Sequence, residues 1–221
     1  MKAPNRRPYA PRAFSLVELL VVMAIIAILG GLALPAISSL TRSSSLTSGG
    51  SRLIDQLQLA RQTAMARNCR VEFRLYKLPD PTVSASTTPT IYRAFQSYSL
   101  DANGAQTNAV TKVTYLPDGI SIVNDPSVSS LLPATPGNPP YSVQGTASGA
   151  SLGTYPAAAY SYMAFHFRPD GSTDLDPNAP VWFVSLANQR DAVQVSTGVP
   201  KNFVTVQVDA QSGRVRSFRP N

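Results

Sequence analysis

The order of apolar patterns along the 221-residue chain predicts an α+β protein in which one long helix precedes a mostly antiparallel sheet. Residues 14–68 hold a continuous apolar run and then an apolar stripe at helical spacing. From residue 69 onward, short runs of alternating apolar and polar residues are separated by turns rich in proline, glycine and aspartate. We therefore expect the second half of the helix to pack on a sheet.

The first part of the predicted helix is an uncharged run of 19 residues from Leu19 to Ile37. A helix of about this length spans the apolar part of a bilayer. The leader before it, residues 1–13, holds no acid and four basic residues, Lys2, Arg6, Arg7 and Arg12. Because basic flanks stay on the cytoplasmic side, we expect the leader in the cytoplasm and residues 39–221 outside.

Glu18 is a carboxylate at the start of this apolar segment. On insertion scales an acid deep in an apolar helix costs about 2.5–3.5 kcal/mol, so such a residue usually has a designated partner. A secretory signal peptide cut near Ala36 and a plain single-pass anchor both account for the apolar run. Neither interpretation supplies a partner for Glu18.

The second part of the predicted helix covers residues 39–68. Residues 39–50 (SLTRSSSLTSGG) are polar and predict either a helix or a break, in which case Ser51 would cap a new helix after Gly49 and Gly50. From Ser51 onward the pattern is helical, and we expect its apolar stripe to pack on the sheet. The stripe consists of Leu53, Ile54, Leu57, Ala60 and Ala64.

The predicted sheet begins with the alternating run CRVEFRLYKL. It places Val71, Phe73 and Leu75 on one face and Arg70, Glu72 and Arg74 on the other, as in a half-buried strand. We expect further strands at residues 91–100, 109–117, 120–123, 160–168, 180–187, 202–208 and 214–219. Residues 124–158 are rich in Pro, Ser, Gly and Ala and predict a long surface loop.

The chemistry-bearing residues do not form a catalytic or metal-binding pattern. Cys69 is the single cysteine, so no intramolecular disulfide can form, and a small apolar role in packing is expected for it. His166 is the single histidine and lies between two phenylalanines in a strand pattern, with no ligand at metal-binding spacing. We therefore predict that the protein is not an enzyme and uses no metal or cofactor.

The leader and the apolar run together resemble a known signal. A basic leader, a small residue and Phe-Ser-Leu-Val-Glu before a long apolar run resemble the class III signal of type IV pilins and type II secretion pseudopilins. The resemblance implies that a prepilin peptidase cuts between Ala13 and Phe14 and that Phe14 becomes an N-methylated terminus. It also implies that Glu18 pairs with the N-terminal ammonium of a neighbouring subunit. Ala13 departs from the glycine that the family prefers before the cut.

The resemblance also assigns roles to the rest of the helix. Pro35 lies where many pilins carry a helix-breaking proline, and Gly30 and Gly31 just before it weaken the helix further. The implied organisation is a cleaved leader (1–13), a transmembrane and assembly helix (14–38), an amphipathic continuation (39–68) and a β-rich head (69–221).

Several phrases in the head resemble one branch of the superfamily. "LQLARQTAMARNCRVEFRLY", "LPDGISIV", "FHFRPDGSTDL" and "VTVQVDAQSGRVRSF" are similar to the minor pseudopilin H and FimT-like proteins. "RLYKLPD", "FRPDGSTDL" and the closing "RSFRP" resemble the Verru_Chthon cassette protein D family. The resemblance implies a pilin-like fold for the head.

The function that this resemblance implies is that of a minor pilin-like subunit of a pseudopilus or pilus. Its partners would be the prepilin peptidase, other pilin subunits, an assembly platform in the inner membrane, and membrane lipid. The subunit would be held in the inner membrane with its head in the periplasm, before extraction into a filament. A single-pass anchored protein that never assembles is the alternative that predicts no processing.

A second alternative concerns DNA. The formal net charge is +7, but its basic excess lies before residue 78, and the rest of the chain is nearly balanced. FimT-like pilins are implicated in DNA uptake, and three arginines close this chain, Arg214, Arg216 and Arg219. They predict either a phosphate-binding turn or the solvent face of a final strand.

Overall fold

The computed structural model describes residues 15–80, 90–132, 139–145, 160–179, 181–193, 200 and 202–219, except for the side chains of residues 32–40, 107, 142–145 and 193. The chain forms two compact units, residues 1–41 and 42–221. The predicted cleavage site at Ala13 and Phe14 lies outside the described residues.

Helix α1 (Leu16–Arg67) begins in the first unit. Its backbone is helical at Gly30, Gly31 and Pro35, whose proposed role in weakening the helix stays a prediction. Within the described part of the chain, no helix combines the length and apolar character needed to cross a membrane. The membrane span expected at residues 14–38 stays a prediction.

The second unit contains the rest of α1, which is helical through Gly49 and Gly50. The alternative of a break capped by Ser51 is thus wrong. A Cβ atom on Gly49 would lie 3.3 Å from Cδ of Pro117, and one on Gly50 would lie 2.9 Å from Cγ1 of Val204. Because any side chain here would push the sheet away, these glycines allow the helix to approach it closely.

Ten strands follow the helix and form one sheet in the order β10-β9-β8-β5-β2-β1-β7-β6 among the described residues, with β3 and β4 both paired to β2. Every pairing between these strands is antiparallel. A short helix, α2 (Gln189–Val193), follows β8. The strands are β1 (Val71–Leu78), β2 (Ile91–Leu100), β3 (Gln106–Ala109), β4 (Thr114–Tyr115), β5 (Ile120–Ile122), β6 (Tyr141–Gly145), β7 (Tyr160–Phe167), β8 (Trp182–Asn188), β9 (Phe203–Val208) and β10 (Val215–Phe218).

The hydrophobic core lies between the second half of α1 and one face of the sheet. The predicted stripe is confirmed, because Leu53, Leu57, Ala60 and Ala64 are at most 2% exposed. Across from them lie Val71, Phe73 and Leu75 of β1, on the face that the alternation predicts, together with core residues of the other strands. The α+β class, with the helix packed on an antiparallel sheet, is therefore confirmed.

Two predictions about the sheet need correction. Residues 124–158 are not one continuous loop, because β6 lies within them and pairs with β7, and Val128, Leu131 and Leu132 are buried. The strand predicted at 109–117 is limited to β4 (Thr114–Tyr115), while a separate strand, β3, ends at Ala109. The two pair with different parts of β2. The run YSVQG alternates apolar and polar residues over only four positions, within sequence rich in Pro, Ser and Gly, and its strand depends on β7 for pairing.

The turn after β9 is held against the turn after β7. Gly213 has a φ of +62°, and a Cβ atom there would lie 2.1 Å from the carbonyl oxygen of Gly171. The Arg61 Nε–H of α1 donates to that oxygen and to the carbonyl of Ser212, both at 3.0 Å. Arg61 bonds both turns to the helix, and glycine at position 213 allows the two turns to contact each other.

We expect Gly213→Ala to lower the free energy of unfolding by at least about 3 kcal/mol, since left-handed strain is added to a clash with backbone. Gly104→Ala is the matched control, because Gly104 also has a positive φ (+81°) but open space around it. That variant should cost about 1 kcal/mol, the left-handed penalty alone. Urea unfolding of both variants measures the difference, and equal losses would contradict the close contact of the two turns.

Candidate functional site

Residues 15–31 of the first unit form a helical segment with apolar side chains on all sides. Its large apolar residues are between 47% and 82% exposed in the isolated chain. A helix that is apolar all round is one that other molecules bury. These residues are Leu16, Val17, Leu19, Leu20, Val21, Val22, Met23, Ile25, Ile26, Ile28 and Leu29.

Glu18 lies in the first turn of α1, where the helix dipole favours a negative charge. It is the one ionisable residue in the sequence from Ser15 to Gly31, and its side chain is exposed. No hydrogen bond or ion pair joins it to another described residue. Burial of this segment by other molecules would therefore remove water from Glu18 and require a new partner for its charge.

A second group of functional side chains lies in the head, on the sheet face opposite α1. Glu72 of β1 is directly opposite His166 of β7 in the antiparallel register. Nε2 of His166 lies 3.4 Å from a Glu72 carboxylate oxygen, and Nδ1 lies 2.6 Å from a carboxylate oxygen of Asp174. Asp174 also accepts from the backbone N–H of His166 at 2.8 Å. One imidazole thus bridges two carboxylates.

Arg74 completes this group, which we call the polar cluster (Glu72, Arg74, His166 and Asp174). Arg74 is 7% exposed and forms a hydrogen-bonded ion pair with Glu72. Its guanidinium carbon lies 4.4 Å from the ring centre of Tyr98 and 4.3 Å from that of Tyr162. Burial alone would lower the pKa of Arg74, but Glu72 outweighs it and the pKa is raised.

The titration of His166 follows from its two carboxylate partners. Burial would lower its pKa, but hydrogen bonds to Asp174 and Glu72 raise it from 6.5 to about 9. Burial likewise would raise the pKa of Glu72, whereas the bonds from His166 and Arg74 lower it. At neutral pH the cluster therefore holds two cations and two anions, and its charge is balanced while His166 is protonated.

The sequence predicts the face of Glu72 and Arg74 but not the cluster they join. Local alternation assigns these residues to one face of a strand. Their partners lie on β7 and the turn after it, about ninety residues away in sequence, and local sequence does not encode the register that pairs them. The predicted packing or surface role of His166 is compatible with this ion-pair network. Among the described residues, no group of His, Cys, Asp and Glu side chains is arranged to hold a metal ion.

The three C-terminal arginines fall into two different environments. Arg214 and Arg216 are exposed and line a cavity of about 240 Å³ beside α1. Arg219 instead donates to Oγ1 of Thr47 and Oγ of Ser43, both at 2.8 Å. Arg219 thus anchors the end of β10 to α1, and contact of these arginines with DNA stays a prediction.

Comparison with known proteins identifies the class of the N-terminal segment. The family model of the prokaryotic N-terminal methylation motif matches residues 10–34. The N-terminal segment of this chain therefore carries a prokaryotic N-terminal methylation motif, at the residues where the sequence resembles the class III signal. The finer resemblance to the cassette protein D family stays a prediction.

Solved structures also resemble the chain at low identity. The minor pseudopilin EpsH of the Vibrio cholerae type 2 secretion system matches with a TM-score of 0.41 and 11% identity, over 80% of this chain and 98% of that chain. The type IV minor pilin FimU of Pseudomonas aeruginosa matches with a TM-score of 0.39 and 10% identity, over 80% and 98%. Likeness at this level does not establish a shared function. No curated protein matches the sequence.

The polar cluster makes the stability of the head depend on pH. Because the folded-state pKa of His166 is raised to about 9, its contribution is complete below about pH 6.5 and is lost as the pH rises through about 9. We expect His166→Gln to lower the free energy of unfolding by about 2 kcal/mol at pH 6 and by much less at pH 10. Urea unfolding from pH 6 to pH 10 measures this, and a difference that does not change with pH would contradict the charged bridge.

Proposed function

We propose that this chain is a minor pilin-like structural subunit that a prepilin peptidase processes between Ala13 and Phe14. The processed subunit assembles through its N-terminal helix into a type II secretion-like pseudopilus or a type IV pilus. Before assembly it is held in the inner membrane with its head in the periplasm. Its role is structural, and its chemistry is that of assembly.

The observation that carries this proposal is the methylation motif at residues 10–34 on a helix that is apolar all round. The residues from Leu16 to Leu29 include large apolar side chains that no part of their own unit buries. At about 25 cal/mol per Å² of apolar surface removed from water, these side chains need cover at every stage, from lipid before assembly and from neighbouring copies in a filament. The motif therefore coincides with the segment whose exposed apolar side chains require contact with lipid or with other subunits.

Glu18 supports the proposal by its charge. If neighbouring copies bury this segment, an unpaired carboxylate would cost several kcal/mol, and a partner cation becomes necessary. Cleavage after Ala13 creates one, the ammonium of Phe14, and an ammonium buried alone would carry a similar cost. Pairing across subunits removes both costs and fixes the stagger of adjacent helices, so it specifies register more than it adds stability.

Processing is the first consequence to test. We expect the chain co-expressed with a prepilin peptidase and extracted from membranes to begin at Phe14, with an added methyl group on its nitrogen. Intact mass and N-terminal sequencing measure both. Expression without the peptidase is the control, and an uncleaved leader in both samples, or a cut near Ala36, would contradict the proposal.

Assembly is the second consequence to test. Glu18→Gln keeps the size of the side chain but removes its charge, so the ammonium of the neighbouring subunit loses its partner. We expect leader cleavage to continue and incorporation into filaments to fall by about tenfold or more. Quantitative immunoblotting of sheared or purified filaments measures incorporation.

Glu18→Asp is the matched control for assembly, since it keeps the charge on a shorter side chain. Its incorporation should lie between that of the unchanged chain and that of Glu18→Gln. Undiminished incorporation of Glu18→Gln would exclude charge pairing as the assembly contact.

A further inference from the structure

Strand β10 lies at an open edge of the described sheet. Among the described strands, β10 pairs with β9 on one side and ends the sheet on the other. The Asp209 N–H donates to the carbonyl oxygen of Arg214 at 2.9 Å, and the same register pairs Arg216 with Gln207. Since backbone groups alternate in direction along an antiparallel strand, Val215 and Ser217 point theirs away from β9.

This edge is held in place at both ends. Arg61 of α1 bonds the carbonyl of Ser212 before the strand, and Arg219 bonds Ser43 and Thr47 of α1 after it. β10 therefore lies along α1 as a fixed, short edge. A fixed edge with free N–H and C=O groups is the surface to which an extended peptide adds as a further strand.

The surroundings of the edge carry positive charge. A cavity of about 240 Å³ lies between α1 and the start of β10, and none of its described lining residues is acidic. The Asp209 carboxylate lines a smaller adjoining cavity with Arg214 and Arg216, and there it accepts from the backbone N–H and the hydroxyl of Ser212. The lining of the larger cavity is three arginines and two glutamine amides beside Gly213 and Val215, namely Arg61, Arg214, Arg216, Gln58 and Gln62. Guanidinium groups bind carboxylates with two parallel hydrogen bonds, so this cavity fits acidic side chains.

We propose that the open edge of β10 binds an extended, acidic segment of another protein by strand addition, with its carboxylates directed at Arg214 and Arg216. A second copy of β10 fits less well, since antiparallel pairing of two such edges would place like charges of Arg214 and Arg216 together. Duplex DNA also fits less well, because its phosphates satisfy guanidinium groups but not the outward backbone groups of Val215 and Ser217. The inference does not depend on filament assembly.

Strand addition is tested with a labelled, end-blocked peptide of alternating glutamate and valine, Thr-Glu-Val-Glu-Val-Thr. Fluorescence anisotropy with the full-length chain in mild detergent measures its Kd, and hydrogen–deuterium exchange shows which amides it protects. We expect protection of residues 214–219. The same peptide with lysine in place of glutamate is the charge control and should bind at least about tenfold more weakly.

Two substitutions separate backbone pairing from general attraction. Ser217→Pro removes one outward N–H that β9 does not use, and proline is tolerated on edge strands. We expect it to raise the peptide Kd by about tenfold, whereas Ser217→Ala, which keeps that N–H, should change it less than about twofold. Arg216→Gln, at an exposed position, should raise the Kd by about three- to tenfold.

Three results would overturn the proposal. Equal binding to Ser217→Pro and Ser217→Ala would show that the backbone edge is not used. Binding of a 20-base-pair duplex without binding of the acidic peptide would assign Arg214 and Arg216 to nucleic acid. Self-association that protects residues 214–219 without peptide would assign the edge to a second copy.

Discussion

The close packing of the second half of α1 on one face of the sheet is the constraint on which the rest of the head depends. Gly49 and Gly50 leave no side chain between helix and sheet, and Ala60 and Ala64 are fully buried there. Side chains of successive strand residues point to opposite faces of the sheet. Since one face is buried against α1, every second residue of a strand lies on the other face. Arg61 extends the same packing to the turns at Gly171 and Ser212, so the helix also fixes where β10 lies.

On the sheet face opposite the helix, charged side chains hold the strands together. Glu72 and Arg74 alternate with the core residues of β1 and are nevertheless mostly buried, since β7, β2 and the turn at Asp174 surround them. Replacing one partner of such a cluster leaves its neighbour as an uncompensated buried charge, which is strongly destabilising. The cluster therefore ties β1, β7 and that turn in one arrangement, although the pairing itself adds less stability than an apolar core would.

Local sequence predicts those parts of the molecule that depend on local periodicity. The stripe from Leu53 to Ala64 and the buried face of β1 follow from spacings of 3.6 and 2 residues. The signal-like pattern around Glu18 coincides with the methylation motif that the family model matches at residues 10–34. Strand β6 and the partners of His166 and Arg61 depend on contacts between residues distant in sequence. The alternation in β6 is too short to stand out from the Pro-, Ser- and Gly-rich sequence around it, and no local pattern encodes which residues of distant strands pair. Neither the strand inside residues 124–158 nor the polar cluster could therefore be predicted.

The N-terminal segment has a methylation motif in its sequence and exposed apolar side chains in the structure. The proposed assembly contact of this segment pairs Glu18 with the ammonium of Phe14 in an adjacent subunit. Solid-state NMR of filaments assembled from a mixture of subunits, half labelled with ¹⁵N-phenylalanine and half with ¹³C-glutamate, tests it most directly. The account predicts a dipolar contact between the Glu18 carboxyl carbon and the Phe14 nitrogen of different subunits, at about 4 Å or less, as an ion pair requires. Filaments that show other contacts between subunits but lack this one would contradict it.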